Sequence, residues 1–373
     1  MERENGGPFW AVLTYGLVSQ ALADTRTFSS SRGMRLDADS VATAAASGKM
    51  MVITDPPQHG KIRRIVSNAF TPKMVQRLES NMRITAIEII EQALEQGQCD
   101  FAEVASRLPV SVICDMLGVP REDWDFMLRH TMTAFGVGAE TADPAEAAAA
   151  HTEIFLYYDE LMRRRRKEPQ EDIISALVHG SLDGRPLTDE EVILNCNGLV
   201  SGGNETTRHA TIKGLLAFVQ NPGQWERLRS DPGLLPSAVR EILRYSTPAM
   251  HVLRTVVHDT AFGGRELMVG DAVTLWLASA NRDETVFGDP HTFDIERFPN
   301  RHLTFAYGSH FCIGSALAST ELAIFFGELL RRMELPELAG EVRRMYSNLI
   351  GGVEHMPVRL RRRLPTPGEA EQW

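Results

Sequence analysis

Between Phe305 and Gly314 the chain reads F-A-Y-G-S-H-F-C-I-G, with Cys312 four residues after Gly308 and two before Gly314. Glycine on both sides opens backbone geometry closed to other residues, so that amide N–H groups can turn inward on one atom. A thiolate is such an atom: it ligates metal, and hydrogen bonds to its sulfur tune the metal's potential. One sulfur alone does not make a tetrahedral zinc site or an iron–sulfur cluster. A single axial thiolate against a planar macrocycle fits the spacing. A buried structural cysteine beside a glycine-rich helix start is the plainer alternative.

Two further constellations carry chemistry. Ser201-Gly202-Gly203-Asn204-Glu205-Thr206-Thr207 lies midway in a helical pattern that runs from Asp189 to Gln220. A mid-helix glycine costs about 1 kcal/mol against alanine, and threonine is also a poor helix former. Either something approaches the backbone closely there, or the helix breaks at Gly202 into two ordinary ones. Glu241 and Arg244 share a helix face, but the same spacing recurs at Glu160/Arg163, Glu205/Arg208, Glu226/Arg229, Glu328/Arg331 and Glu341/Arg344. Any of these reads as a surface i,i+3 pair worth a few tenths of a kcal/mol, so spacing alone singles out none.

The elements that must position these residues are mostly helical. Three- and four-residue apolar steps predict helices over Met74–Gln96, Val104–Leu117, Ala145–Arg166, Asp172–Val178, Asp189–Gln220, Gly233–Tyr245 and Ser315–Met333. Short strands are expected at Phe9–Leu13, Val252–Val257, Ala272–Leu277 and Val358–Leu360. No Gly/Ser- or Pro-rich linker divides the chain, so residues 1–373 read as a single domain, mainly α with a small β region. Ser29–Lys49, rich in Ala, Ser and Asp, reads as a mobile loop. The basic run Arg163–Lys167 reads as the solvated end of a helix, where it suits the helix dipole.

An apolar fraction of 43% over 373 residues supports a substantial core, and the net charge of −10 disfavours nucleic acid and anionic membranes as partners. Neither a signal peptide nor a run of about 20 apolar residues is visible. The four cysteines (Cys99, Cys114, Cys196, Cys312) lack paired spacing and read as thiols in a reducing compartment. The expected location is therefore the cytoplasm.

The segment around Cys312 resembles the haem-ligand loop of the cytochrome P450 monooxygenases, F-x-x-G-x-H/R-x-C-x-G, matched at Phe305, Gly308, His310, Cys312 and Gly314. The run G-G-N-E-T-T resembles that family's A/G-G-x-E/D-T-T segment on the long helix crossing the haem, where small residues leave room for dioxygen. The resemblance implies that Cys312 ligates the iron and that Gly202 lies over the haem. It also implies a proton relay through Thr206 and Glu205, because dioxygen chemistry needs two protons without flooding the site with water. Thr206 would either hydrogen-bond the Gly202 carbonyl or turn towards oxygen. Order along the chain selects Glu241/Arg244 as the family's E-x-x-R pair, and Phe293–Phe298 resembles the stretch whose Arg297 completes it.

Asp55-Pro56-Pro57-Gln58-His59-Gly60-Lys61-Ile62-Arg63 resembles a D-P-P-x-H-x-x-x-R helix start. With Arg254 and His310, the resemblance makes His59 and Arg63 ligands of the haem propionates. It covers nearly the whole chain and implies a triangular helical prism around non-covalent haem b. Electrons from NAD(P)H would arrive through a separate ferredoxin and ferredoxin reductase. The chain begins almost at the family's first strand, without most of the usual lead-in segment.

The implied pocket draws on Ser29–Lys49, Thr131–Phe155, the helix around Leu199 and Gly203, the segment with Ala249, His251 and Val252, and the segment ending at Val353. His251 would contact a substrate carbonyl or carboxylate, and Gly136 with Gly138 would hinge a lid. The substrate is expected to be a small secondary-metabolite intermediate, as in antibiotic biosynthesis, either free or tethered to a carrier protein. A peroxide-driven haem-thiolate enzyme and a catalytically silent haem-binding recruitment module are the alternatives.

Overall fold

Periodic apolar faces become long helices packed about one large core, and a smaller apolar cluster lies under a four-stranded sheet. The computed structural model describes residues 7–36, 38–68, 72–135 and 143–364. The helices that matter for the site are α1 (Tyr15–Ala23), α2 (Gln58–Asn68), α3 (Pro72–Gln96), α4 (Phe101–Leu117), α5 (Asp189–Gln220), α6 (Leu235–Ser246) and α7 (Ser315–Arg332). Among the expected helices, Ala145–Arg166 extends to Pro144–Lys167, and Asp172 is the N-cap of Ile173–Val178 rather than its first residue.

The helix α5 does not break at Gly202. A capping box starts it: the Thr188 hydroxyl accepts from the Glu191 N–H at 3.2 Å, and the Glu191 carboxylate accepts from the Thr188 N–H at 2.8 Å. Its interior glycines have separate reasons. A Cβ on Gly198 would stand 2.8 Å from Met50, one on Gly203 2.5 Å from Ile113 of α4, and one on Gly214 2.8 Å from both Ile242 and Phe326. Those three are notches that let neighbours close on the helix. Gly202 alone of the four has nothing within 4 Å.

The strand β1 (Phe9–Val12) pairs parallel with Ala272–Leu275, which pairs antiparallel with Val252–Val256, which in turn pairs antiparallel with Phe28–Ser29. Every residue of Val252–Val256 is buried, Arg254 included.

Three expectations are corrected. Ser29–Lys49 is not one loose loop: Ser40–Ala46 is a helix capped by Asp39, and Ser29 belongs to the sheet. The basic run is not wholly solvated: Arg165 is buried, ion-paired to Asp172 at 2.5 Å and bonded to the Gly118 carbonyl at 2.6 Å. The pairs Glu205/Arg208 and Glu328/Arg331 are not surface pairs. Glu205 and Arg208 are both buried, and buried Glu328 gathers Arg83, Arg331 and Arg332. Gly136 and Gly138 lie outside the described residues.

Candidate active site

The turn that presents Cys312 begins at Phe305, whose carbonyl accepts from the Cys312 N–H at 2.9 Å, and ends where Gly314 caps α7. Gly308 has φ +74°, and a Cβ there would stand 2.8 Å from the Leu22 carbonyl oxygen at the end of α1. Glycine is thus required both by the left-handed backbone and by the close approach. Burial pushes the Cys312 thiol up, while the Gly314 N–H and the charge of Arg63 draw it down. Burial also raises Cys99 (to about 11), Cys114 and Cys196, but no cation bears on any of them.

Next to this turn four basic side chains from three segments converge: His59 and Arg63 one turn apart on α2, Arg254 on the strand Val252–Val256, and His310 in the turn itself. The rings of His59 and His310 are 4.1 Å apart, and the Ser30 hydroxyl lies 3.2 Å from His310 Nε2. Burial, followed by the charges of Arg254, His59 and Arg63, pushes His310 down to about 3. Burial and Arg63 lower His59 as well. Arg254, 4% exposed, is lowered to about 10 by burial, against the pull of Asp55. Among the described residues neither Arg63 nor Arg254 has a carboxylate within ion-pair distance, and Asp55 is itself engaged by the Ser29 hydroxyl and by the Ser30 N–H at 2.8 Å.

Across from the turn, the Thr206 hydroxyl donates to the Gly202 carbonyl at 2.7 Å. Glu205 points elsewhere. It accepts from Arg208 Nη1 at 3.2 Å and lies 3.1 Å from His209 Nε2, with all three residues buried. Burial would raise its pKa, but the hydrogen bond from His209 and the charge of Arg208 bring it below the ordinary carboxyl value. Arg208 and His209 were legible from the i,i+3 and i,i+4 spacing; their burial was not.

Behind the turn, Glu241 and Arg244 form a fully buried two-bond pair, 2.8 and 2.7 Å. Arg297 Nε reaches Glu241 at 3.3 Å, and the Asp294 N–H and Asn300 Nδ2 donate to it, both at 3.0 Å. Arg244 spends its remaining donors on the carbonyls of Asn281, Pro290 and Thr292. Asn281 passes the order forward: its Oδ1 accepts from the Leu303 N–H at 2.6 Å and its Nδ2 donates to Thr304 at 3.0 Å, directly ahead of Phe305. Asn281 and Asn300 carry no sequence signal, because a lone asparagine in irregular chain has no period to betray it.

The expected pocket residues divide. Gly202 opens on free space, whereas the bare face of Gly203 serves the packing of α5 on α4. Leu199 packs partly buried against the helical core, Ala249 bridges to Ile350, and Val252 is buried in the sheet cluster. Val353 is 1% exposed and belongs to the helical core. His251 is fully enclosed, its ring 5.0 Å from Trp276, and burial lowers its pKa against the pull of the Asn348 backbone. It has no exposed surface in this structure, where a substrate contact is expected from the sequence.

The cytochrome P450 family model matches residues 141–353. The chain is 36% identical to cytochrome P450 NovI of Streptomyces niveus, over 94% of this chain and 87% of that one. It is 37% identical to the methyl-branched lipid omega-hydroxylase of Mycobacterium tuberculosis, over 95% of this chain and 84% of the relative. The solved structure of P450 OxyD, a protein involved in the biosynthesis of vancomycin-type antibiotics, superposes with a TM-score of 0.89 at 37% identity, covering 97% of this chain and 92% of that one. In sequence and in fold alike, the chain belongs to the cytochrome P450 family of haem-thiolate monooxygenases.

Proposed function

We propose that Cys312 holds haem b through its thiolate, that Arg254, Arg63, His59 and His310 receive the propionates, and that Thr206 and Glu205 meter protons on the opposite side. The basic quartet, with His59 and Arg254 buried and Arg63 and His310 half-buried, carries this reading. Cations and imidazoles withdrawn from water without a matching anion are costly, and two carboxylates would complete the set, with arginine offering its two-pronged fork and histidine a single donor. The space over Gly202 and the Gly314 N–H beside the sulfur support the same assignment.

Haem, when bound, supplies one-electron and dioxygen chemistry at its iron. The chain's own residues do the rest. Gly314 and Arg63 favour the thiolate. Thr206 gives up its bond to the Gly202 carbonyl to orient a donor into the space beside it. Glu205, the nearest carboxylate in sequence, replenishes that proton. The buried apolar walls keep bulk water from short-circuiting the transfer.

Electrons come from NAD(P)H through a separate ferredoxin and its reductase, docking on the Cys312 side. The protein works in the cytoplasm as one domain; among the described residues no helix is long and apolar enough to cross a membrane. The substrate is a small secondary-metabolite intermediate, a reading supported by the setting of OxyD. A spin-state titration of the ferric protein tests it, with free metabolites, the same acids tethered to a carrier protein, and methyl-branched fatty acids as the panels. A Soret shift with either of the first two is expected. A shift with the fatty acids alone would overturn the secondary-metabolite assignment and leave the monooxygenase intact.

A further inference from the structure

Both members of the Thr206/Glu205 pair are turned away from the space over Gly202, and what turns Glu205 away is only partly a charge. Arg208 Nη1 reaches both carboxylate oxygens, at 3.2 and 3.4 Å, and the more distant of the two also meets the uncharged ring of His209 at 3.1 Å. That ring is completely buried, and its other nitrogen, Nδ1, accepts from the Val353 N–H at 3.4 Å. This contact assigns the tautomer: Nδ1 is the acceptor, so Nε2 carries the hydrogen and donates it to Glu205. Beneath the ring lies Gly352, where a Cβ would stand 2.8 Å from Cε1 and Nε2 and 3.0 Å from Nδ1. Gly352 has no positive φ that would otherwise demand glycine, so the imidazole accounts for the missing side chain. Helix α5 and the Gly352–Val353 segment therefore share one histidine, and that histidine grips the acid.

We infer that His209 is a latch, a positioning residue that holds Glu205 away from Thr206 and ties its release to movement of the Gly352–Val353 segment. This rests on the relay reading above and adds to it a control point. A ligand that displaces the segment draws Val353 and Gly352 off the ring, and Glu205, left with Arg208 alone, is freer to rotate. The charged groups bearing on His209 are Glu205, Arg208 and Lys213, all from α5; the Gly352–Val353 segment faces it with backbone only. Burial outweighs Glu205 and keeps the ring neutral below the ordinary histidine pKa.

Two measurements test the latch. Nitrogen-15 spectra of the full-length ferrous carbon monoxide protein should show His209 as the Nε2–H tautomer at neutral pH, titrating only well below a free histidine, and lower still in Glu205→Gln. Substrate-free NADPH oxidation with a surrogate ferredoxin and reductase should rise several-fold in His209→Leu. It should rise likewise in Gly352→Ala, which displaces the ring without touching α5. His209→Gln, which donates without titrating, should restore the low rate. An imidazole that titrates like a free histidine, or wild-type rates in both His209→Leu and Gly352→Ala, overturns the latch. Thr206→Ala run alongside separates the two claims: if it uncouples while the latch variants behave as wild type, the latch alone fails; if it too changes nothing, the relay fails.

Discussion

Removing the charge of Glu241 should be among the most damaging single changes outside the Cys312 turn. In Glu241→Gln the shape survives, but the side chain now meets five donors: two from Arg244 at 2.8 and 2.7 Å, Arg297 at 3.3 Å, and the Asp294 N–H and Asn300 Nδ2 at 3.0 Å each. One amide oxygen cannot serve five donors, and the new NH2 faces other N–H groups. Arg244, with no exposed surface, is left as a buried charge without its partner. Breaking a buried ion pair from one side costs about 3–5 kcal/mol. Replacing both residues, as in Glu241→Gln with Arg244→Met, should cost clearly less than the sum of the two singles, because no orphan charge remains. Urea midpoints followed by far-ultraviolet circular dichroism, in parallel with the thiolate-type carbon monoxide spectrum, read both the fold and the turn. Asn300→Ala, which deletes one donor of the five, is the milder control at about 1 kcal/mol. A Glu241→Gln protein within about 1 kcal/mol of wild type, a small fraction of the one-sided cost, would refute the claim that this carboxylate organises the segment leading to Phe305.

Three further outcomes follow from the same geometry. Gly308→Ala places a β-carbon at φ +74° against the Leu22 carbonyl, costing at least about 1–3 kcal/mol; the yield of protein with the thiolate-type spectrum should fall. Burial alone pushes Glu321 up to about 8 from 4.5. The folded state therefore keeps a proton that the unfolded chain releases, and stability declines as pH rises from about 4.5 to about 8. Glu321→Gln should flatten that slope and stabilise the fold at pH 8 by on the order of a few kcal/mol, read as a higher melting temperature; an unchanged pH profile of melting would contradict this. Thr206→Ala should divert NADPH from product to peroxide while leaving haem content unchanged, and undiminished coupling would remove Thr206 from the relay.

Much of the fold was legible because helical periodicity is local: α5 and the helices ending at Gln96, Leu117 and Ser246 fall where apolar spacing puts them. The helix Ser40–Ala46 was missed because its Ala/Ser composition carries no amphipathic stripe. The candidate site could be proposed from the sequence only as an ordered set of motifs, since each of His59, Arg63, Arg254 and His310 looks ordinary until long-range contacts bring them together. Burial was the quantity that spacing could not supply. It separates the buried pair Glu205/Arg208 and the buried Glu328 from true surface pairs, and it encloses the ring of His251 against Trp276. It also shows that Gly203, in a run read for its openness, packs against Ile113 while its neighbour Gly202 stays free.

The central claim is that Cys312, alone among four cysteines, carries the haem. The ferrous carbon monoxide spectra of Cys312→Ser and of the Cys99→Ser, Cys114→Ala and Cys196→Ala variants test it most directly. The thiolate-type band should vanish in Cys312→Ser and persist in the other three. Its survival in Cys312→Ser would contradict the account.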